Sequence, residues 1–294
     1  MEPVRCLYPF NRLWPLDQAV VLASLFEATA PKLGNVHPGA AFSDMNYSHF
    51  INSADSIGPV FDFADKTSEI TVGALILESV TATQQRTGLN TNLGTLLLFG
   101  PLATAYIRSQ PQNREQWREA VTRELAQLTP ADSQAIYAAI RIAKPGGLGT
   151  TDKHDLQHSA PSCLVSAMRE VAKIDAVARQ YTNNFADIFE RMLPWLDAEL
   201  LVVKDVFSAI CDLQLRWLAH EPDGLIVRKA GLPIAYEVQA LAKEVWQEND
   251  PILRQLKKNS LDDYLRSDGH RRNPGTTADL IAATLLVQLM CWRL

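Results

Sequence analysis

The fold of this chain can be worked out from the stretch VAKIDAVARQYTNNFADIFERM, residues 171–192. Its apolar residues recur at steps of three and four, from Val171 through Tyr181 to Met192, and so fall along one face of an α-helix. An apolar face of this length has to pack against other elements. We therefore expect one helix over residues 171–192 that lies in the core of the protein.

The same periodicity runs through most of the chain. After Pro194 it predicts a second long helix over residues 195–220. Helix starts are predicted at Thr129, Ser260 and Thr276, because each of these hydroxyl residues precedes an acid by three positions. No strand alternation, repeat or long linker is present, which favours one all-α domain over residues 1–294 with about ten or more helices. Further helices are predicted near residues 15–29, 44–56, 68–83, 94–109, 113–127, 131–143, 233–247 and 251–266.

Composition and net charge indicate which partners and which location to expect. The chain has 294 residues, 47% of them hydrophobic, and a net charge of -5, so we expect neither nucleic acid nor a membrane surface as a partner. Two nearly uncharged stretches, residues 94–107 and 280–292, are shorter than the roughly 20 residues of a membrane span and are interpreted as buried core helices. Four scattered cysteines without a CxxC pair and the lack of an apolar signal core favour the cytoplasm. The oligomeric state stays open, a homo-oligomer included.

Several loops between the predicted helices carry charged and amide side chains. Glu27 stands in the last turn of a helix, where the dipole disfavours an anion, so it needs a cation such as Lys32 or a metal, unless it is solvated at a fraying end. Asn35 follows in the same loop. Asn92 opens an apolar helix and can either orient an anion or cap the helix, and Asp44 can also be a cap.

A glycine-rich loop follows the helix that is predicted near residues 131–143. Lys144 can neutralise phosphate there, Gly147 and Gly149 let the backbone approach a ligand closely, and Asp155 can hold a divalent cation. The alternative is a flexible surface loop. No Walker, dinucleotide-binding, HExxH or GxSxG motif is present, so the known signatures do not decide the chemistry.

The second half of the chain adds acids and cations. Asp175 lies beside the apolar stripe, and an inward carboxylate there needs Arg179, a metal or a ligand. Arg228 and Lys229 are adjacent cations that can clamp phosphate or lie on a solvated surface. Asp279 either belongs to a capping box or faces a ligand. Asn273 and Thr276 precede it at the start of the last helix.

Taken together and in this order, the loops resemble the triphosphoribosyl-dephospho-coenzyme A synthase family. The resemblance covers residues 20–285 or so, and the ordered set is more specific than any one motif. This sequence lacks the His-Lys pair of the citrate-lyase type. Its GNVH segment at residues 34–37 looks more like the family branch found in archaea and in organisms with methanopterin-linked one-carbon chemistry. The segments that carry it are residues 27–35 (EATAPKLGN), Asp44-Met45 with Phe50 and Ser53, residues 91–94 (TNLG), residues 145–149 (PGGLG) with Asp155, Asp175 with Gln180-Tyr181, Pro222-Asp223, residues 228–231 (RKAG) and residues 273–280 (NPGTTADL).

The resemblance implies an all-α transferase that joins ATP to 3′-dephospho-coenzyme A with release of adenine. It implies ATP and a nucleotide-like acceptor as the partners. Mg²⁺ is the expected cofactor, because it prefers oxygen ligands and often bridges protein carboxylates to phosphates. An acceptor from methanopterin-linked one-carbon metabolism is the alternative, and a helical nucleotide-binding protein without turnover is a third reading. The expected residues are Glu27, Asp44, Asp175 and Asp279 for catalysis; Asp155, Asp175 and Asp279 for the metal; and Lys32, Asn35, Asn92, Lys144, Gly147, Gly149, Arg228, Lys229, Asn273 and Thr276 for the substrates.

Overall fold

The computed structural model describes residues 13–67, 69–145, 160–203 and 205–291. In those residues the chain forms fourteen α-helices and one π-helical segment, Asp187–Met192, and no strand. The all-α class and the predicted number of helices are therefore confirmed. The α-helices are α1 Leu16–Thr29, α2 Tyr47–Thr67, α3 Val72–Thr87, α4 Leu93–Ser109, α5 Arg114–Ala126, α6 Pro130–Ala143, α7 Leu164–Val171, α8 Ala176–Asn183, α9 Leu193–Val202, α10 Val206–His220, α11 Gly224–Ala230, α12 Leu232–Gln247, α13 Pro251–Arg266 and α14 Gly275–Met290.

The core is built around α4 and α14, the two helices that carry the least charge. Both are buried along nearly their whole length, and α14 packs against α1, α4, α8 and α10. This confirms the interpretation of the two uncharged stretches as core helices. None of the helices in the described ranges is long and apolar enough to cross a membrane.

A smaller apolar cluster lies beside the main core. It joins α10, α11, α12 and α13 through side chains that include Leu218, Ile226, Val238 and Leu265. Since α10 contributes to both clusters, it links the two parts of the bundle. The single domain over residues 1–294 stays a prediction.

The expected helix over residues 171–192 is wrong, because the chain breaks twice within it. Asp175 is not inside a helix but precedes α8, where its carboxylate accepts hydrogen bonds from the first backbone N–H groups. Asn184 and Phe185 both have positive φ, 56° and 57°, which ends α8. The apolar stripe nevertheless faces one core, since Tyr181 and Phe185 are both fully buried.

Residues 195–220 also form two helices where one was expected. Pro194 does not end a helix but lies in the first turn of α9, where its missing N–H costs nothing. Asp205 begins α10 by accepting hydrogen bonds from two backbone N–H groups. The predicted start at Ser260 is wrong as well, because α13 runs through it and its hydroxyl donates to a carbonyl one turn back. At Thr129 the capping box is present as expected.

Candidate active site

Four helix ends meet at one place in the fold, and each brings a carboxylate there. These are Glu27 at the end of α1, Asp175 before α8, Asp223 before α11 and Asp279 in the first turns of α14. The negative charges of the first three raise the pKa of Asp279, so all four are close enough to interact. Segments that are far apart in sequence thus place their acids around one point.

Asp279 packs against the start of α4. Its Oδ1 accepts a hydrogen bond from Thr95 Oγ1 at 2.8 Å, and a Cβ atom at Gly94 would overlap the carboxylate. Desolvation, with the nearby negative charges, raises the pKa of Asp279 to about 8. The residue nevertheless keeps part of its surface accessible. The capping-box interpretation is wrong, since the bond goes to α4 and no side chain caps α14.

Glu27 has the cation partner that its position at a helix end requires. Lys32 Nζ lies 2.8 Å from Glu27 Oε1 and also donates to the Glu27 carbonyl oxygen. The Lys32 side chain is completely buried. Because its ammonium is already paired beneath the site, Lys32 fixes the position of Glu27 and has little surface to offer a phosphate.

Asp175 pairs with Arg228 and not with Arg179. Arg228 Nη1 donates to Asp175 Oδ2, while Oδ1 accepts from the backbone of α8. Arg179 instead binds Asp187 and Glu221 away from this carboxylate. Of the three expected alternatives for Asp175, the pair with Arg179 is wrong, because Asp175 lies before α8 and not within it.

Asp223 was part of the family resemblance but was not among the expected site residues. It is buried, it caps α11, and its Oδ2 accepts from both the backbone N–H and the hydroxyl of Thr277 at 2.7 Å. Burial raises the pKa of Asp223. Its carboxylate ties α11 to α14 and holds Thr276 next to Gly224. The Pro-Asp-Gly turn was the available signal for the cap, since Asp is a preferred residue before a helix, but the bond to Thr277 had no local signal.

A chain of amide side chains connects the first loop to the last. Asn35 Nδ2 donates to Asn273 Oδ1 at 2.6 Å, and Asn35 Oδ1 accepts from Gln214 Nε2 at 2.9 Å. Gln214 also exchanges two hydrogen bonds with the backbone of Leu33. The structure therefore brings Asn35 and Asn273 together, and Gln214 of α10 is a member that the sequence did not indicate.

The remaining expected residues lie around this centre or outside the described chain. Asn92 donates to Thr83 Oγ1 and lines a narrow crevice that Ala143 of α6 also lines. Lys144 follows directly and is exposed. Gly147, Gly149 and Asp155 lie outside the described residues.

Asp44 and Lys229 form the outer edge of the site. Asp44 is exposed, with its Oδ1 3.4 Å from His270 Nε2, and Phe42 stacks on the same imidazole at 4.7 Å. Lys229 is half-buried, and burial is the main cause that lowers its pKa, against the opposing charge of Asp44. Asp44 is thus set apart from the four acids of the centre.

Two further findings limit where the active site can lie. Among the residues that the structure describes, no group of three or more His, Cys, Asp and Glu side chains is placed to hold a metal ion. A groove of about 510 Å³ between α1 and α2 is lined by Asp17, Asp55 and Asp62 and contains none of the expected residues. The carboxylates and amides at the helix ends therefore remain the candidate active site.

Comparison with known proteins identifies the family. A family model described as "CitG: ATP:dephospho-CoA triphosphoribosyl transferase" matches residues 14–294. The chain belongs to the CitG family. It is a transferase of the triphosphoribosyl-dephospho-CoA synthase type, and the resemblance noted in the loops is confirmed. No curated protein matches this CitG-family chain significantly.

A solved structure shares the fold of the CitG-family chain. A protein from Archaeoglobus fulgidus, named as a candidate triphosphoribosyl-dephospho-CoA synthase, superposes with a TM-score of 0.64. It is 22% identical in sequence, and the match covers 82% of this chain and 99% of that one. At this identity the similarity shows a common helical architecture.

Proposed function

We propose that this enzyme transfers the triphosphoribosyl group of ATP to a hydroxyl of 3′-dephospho-CoA and releases adenine. The bond from C1′ to the adenine nitrogen breaks, and a bond from C1′ to the acceptor oxygen forms. Adenine leaves with the bonding electrons and gains a proton, while the hydroxyl loses one. The proposal is supported by the family match and by the four carboxylates that meet at the helix ends.

Asp279 is assigned to the leaving adenine. A carboxyl group whose pKa is raised to about 8 holds its proton at neutral pH and can give it to a base that departs. Thr95 holds one oxygen of the carboxyl group in place, and Gly94 leaves room for the other. This arrangement supports Asp279 as the acid of the reaction.

Asp175 is assigned to the acceptor hydroxyl. In glycoside chemistry positive charge develops at the anomeric carbon, and a nearby carboxylate both stabilises it and takes the proton. Arg228 can turn from Asp175 to a bound phosphate and so free a carboxylate oxygen. Lys32 is buried and cannot leave Glu27 in this way, so Glu27 acts through its charge alone.

The polar side chains around the acids are assigned to the nucleotides. We assign Arg228 and the exposed Lys144 to phosphate, and the amides of Asn35, Asn92 and Asn273 to ribose and phosphate oxygens. Binding of these phosphate and ribose groups, which do not themselves react, supplies the energy that positions C1′ of ATP. The cytoplasm, where such nucleotides are abundant, stays our proposed location.

Mg²⁺ is proposed only as the counter-ion of the triphosphate. The described carboxylates do not fit a resident magnesium site, because no three of them are placed to hold one ion and Asp279 holds a proton at neutral pH. Magnesium in such enzymes is bound largely through phosphate oxygens. Asp155, the other expected ligand, lies outside the described residues.

Mass spectrometry of the products tests the function. ATP is incubated with dephospho-CoA, or with acceptors of methanopterin-linked metabolism, and free adenine and a triphosphoribosyl mass gain are measured. We expect both products with dephospho-CoA, and a loss of at least tenfold in Asp175→Asn and Asp279→Asn. The exposed Asp263→Asn on α13 is the control. If both site variants release adenine as the unmodified enzyme does, the assignment is wrong.

A further inference from the structure

Two neighbouring cations of α11 face different parts of the site. Arg228 points to Asp175 at the start of α8. Lys229 lies near Asp44, whose charge acts on it, and no ion pair or hydrogen bond of its ammonium group is present among the described residues. Consecutive residues of a helix do not share a face, so one small anion cannot serve both side chains in the same way.

Both cations have unused hydrogen-bond donors. Arg228 Nε is buried without an acceptor in the part of the chain that the structure describes. Lys229 is only half-buried, and its ammonium makes no ion pair or hydrogen bond among the same residues. A buried donor such as Arg228 Nε is costly unless a ligand completes it, and a lysine without a protein partner is free to bind an anion. The two donors therefore indicate anions on two sides of α11.

Lys229 belongs to a set of residues that we call the rim cluster: Phe42, Asp44, Lys229, His270 and Arg271. Arg271 donates two hydrogen bonds to the Lys229 carbonyl oxygen, at 2.8 and 3.2 Å, and so fixes the end of α11. His270 has a positive φ of 55°, and its ring stacks on Phe42. Three separate segments thus hold Lys229 at the edge of the site, with one exposed carboxylate as its neighbour.

The proposed reaction uses two adenine nucleotides, and each carries a polyphosphate. We propose that the rim cluster binds the polyphosphate of only one of them, through Lys229, and that Arg228 faces the other. This inference rests on the proposed function, which supplies the two nucleotides. The shared chemistry is a di- or triphosphate ester, and the experiment below distinguishes ATP from dephospho-CoA as its source.

Calorimetry with each nucleotide alone tests the rim cluster. In Lys229→Met we expect the affinity for one nucleotide to fall at least tenfold and the affinity for the other to stay within twofold. Lys243→Met, an exposed lysine of α12, is the matched control and should change neither. Asp44→Asn removes the negative charge near Lys229 and should tighten the same nucleotide two- to fivefold.

Each outcome either supports or contradicts the binding of one nucleotide by the rim cluster. A loss for ATP alone or for dephospho-CoA alone supports the rim cluster and names its ligand. Equal losses for both nucleotides, or no loss for either, overturn it. A misfolded variant cannot bind more tightly, so Asp44→Asn gives an independent answer, and unchanged or weaker binding there also counts against the proposal. If the unmodified enzyme binds both nucleotides but forms no adenine, the proposed function fails while the binding result still stands.

Discussion

Asp279→Asn should make the protein more stable and less active at neutral pH. The pKa of Asp279 is raised to about 8 in the folded protein, against an ordinary value of 3.8. The folded state therefore keeps a proton that the unfolded chain has lost at pH 7. An asparagine side chain has the shape of the protonated acid but does not titrate. The variant therefore does not lose stability as the pH rises.

The size of the effect follows from the shift. Each pH unit between the two pKa values costs about 1.4 kcal/mol of stability, which gives roughly 4 kcal/mol at pH 7. Because Asp279 is partly accessible, solvent relaxation reduces this, and we expect about 2 kcal/mol. The stability from this group is fully present below pH 4 and is lost as the pH rises toward 8.

Urea denaturation between pH 5 and pH 9 measures the difference. The free energy of unfolding of Asp279→Asn minus that of the unmodified protein should be small at pH 5, grow steadily and level off above pH 8. Asp263→Asn, on the exposed face of α13, should follow the unmodified protein throughout. A constant difference across the pH range would show that Asp279 does not hold its proton, and would refute the reasoning.

Three further predictions concern the same site. Gly94→Ala should reduce adenine release at least tenfold in a chromatographic assay, because the added methyl group displaces Asp279, and full activity would contradict the close approach. Arg228→Met should cost about 2 kcal/mol in urea denaturation by leaving Asp175 unpaired; adding Asp175→Asn should restore most of this, and a simple sum of the two losses would exclude coupling. Gln214→Met should cost about 2–3 kcal/mol through its lost hydrogen bonds and raise the KM for substrate, and an unchanged melting temperature would contradict its place in the amide chain.

Most of the fold could be predicted from local features of the sequence, namely helix caps and the spacing of apolar residues. The predicted helix over residues 131–143 is found as α6, because a complete capping box begins it and its apolar spacing is regular. The prediction for residues 171–192 was wrong because an apolar stripe continues on one side of the chain even where the backbone turns. The adjacent Asn183 and Asn184 were the local sign, since asparagine tolerates positive φ.

The site was only partly visible in the sequence. The pairing of Glu27 with Lys32 was one of three expected alternatives, because Lys32 follows the helix end that carries Glu27 by only a few residues. The bond from Thr95 to Asp279 joins residues 184 positions apart, and no periodicity reports such a contact. The roles proposed for these residues stay predictions until the variants are measured.

The hydrogen bond between Asn35 and Asn273 has a consequence for how the enzyme is made. It joins residues 238 positions apart, and Asp279 lies beyond the second of them. A chain still on the ribosome that has folded α1 to α13 lacks Asp279, so under the proposed mechanism it cannot release adenine from ATP. Resistance to protease in the presence of ATP should therefore arise in one step, only after α14 has left the exit tunnel.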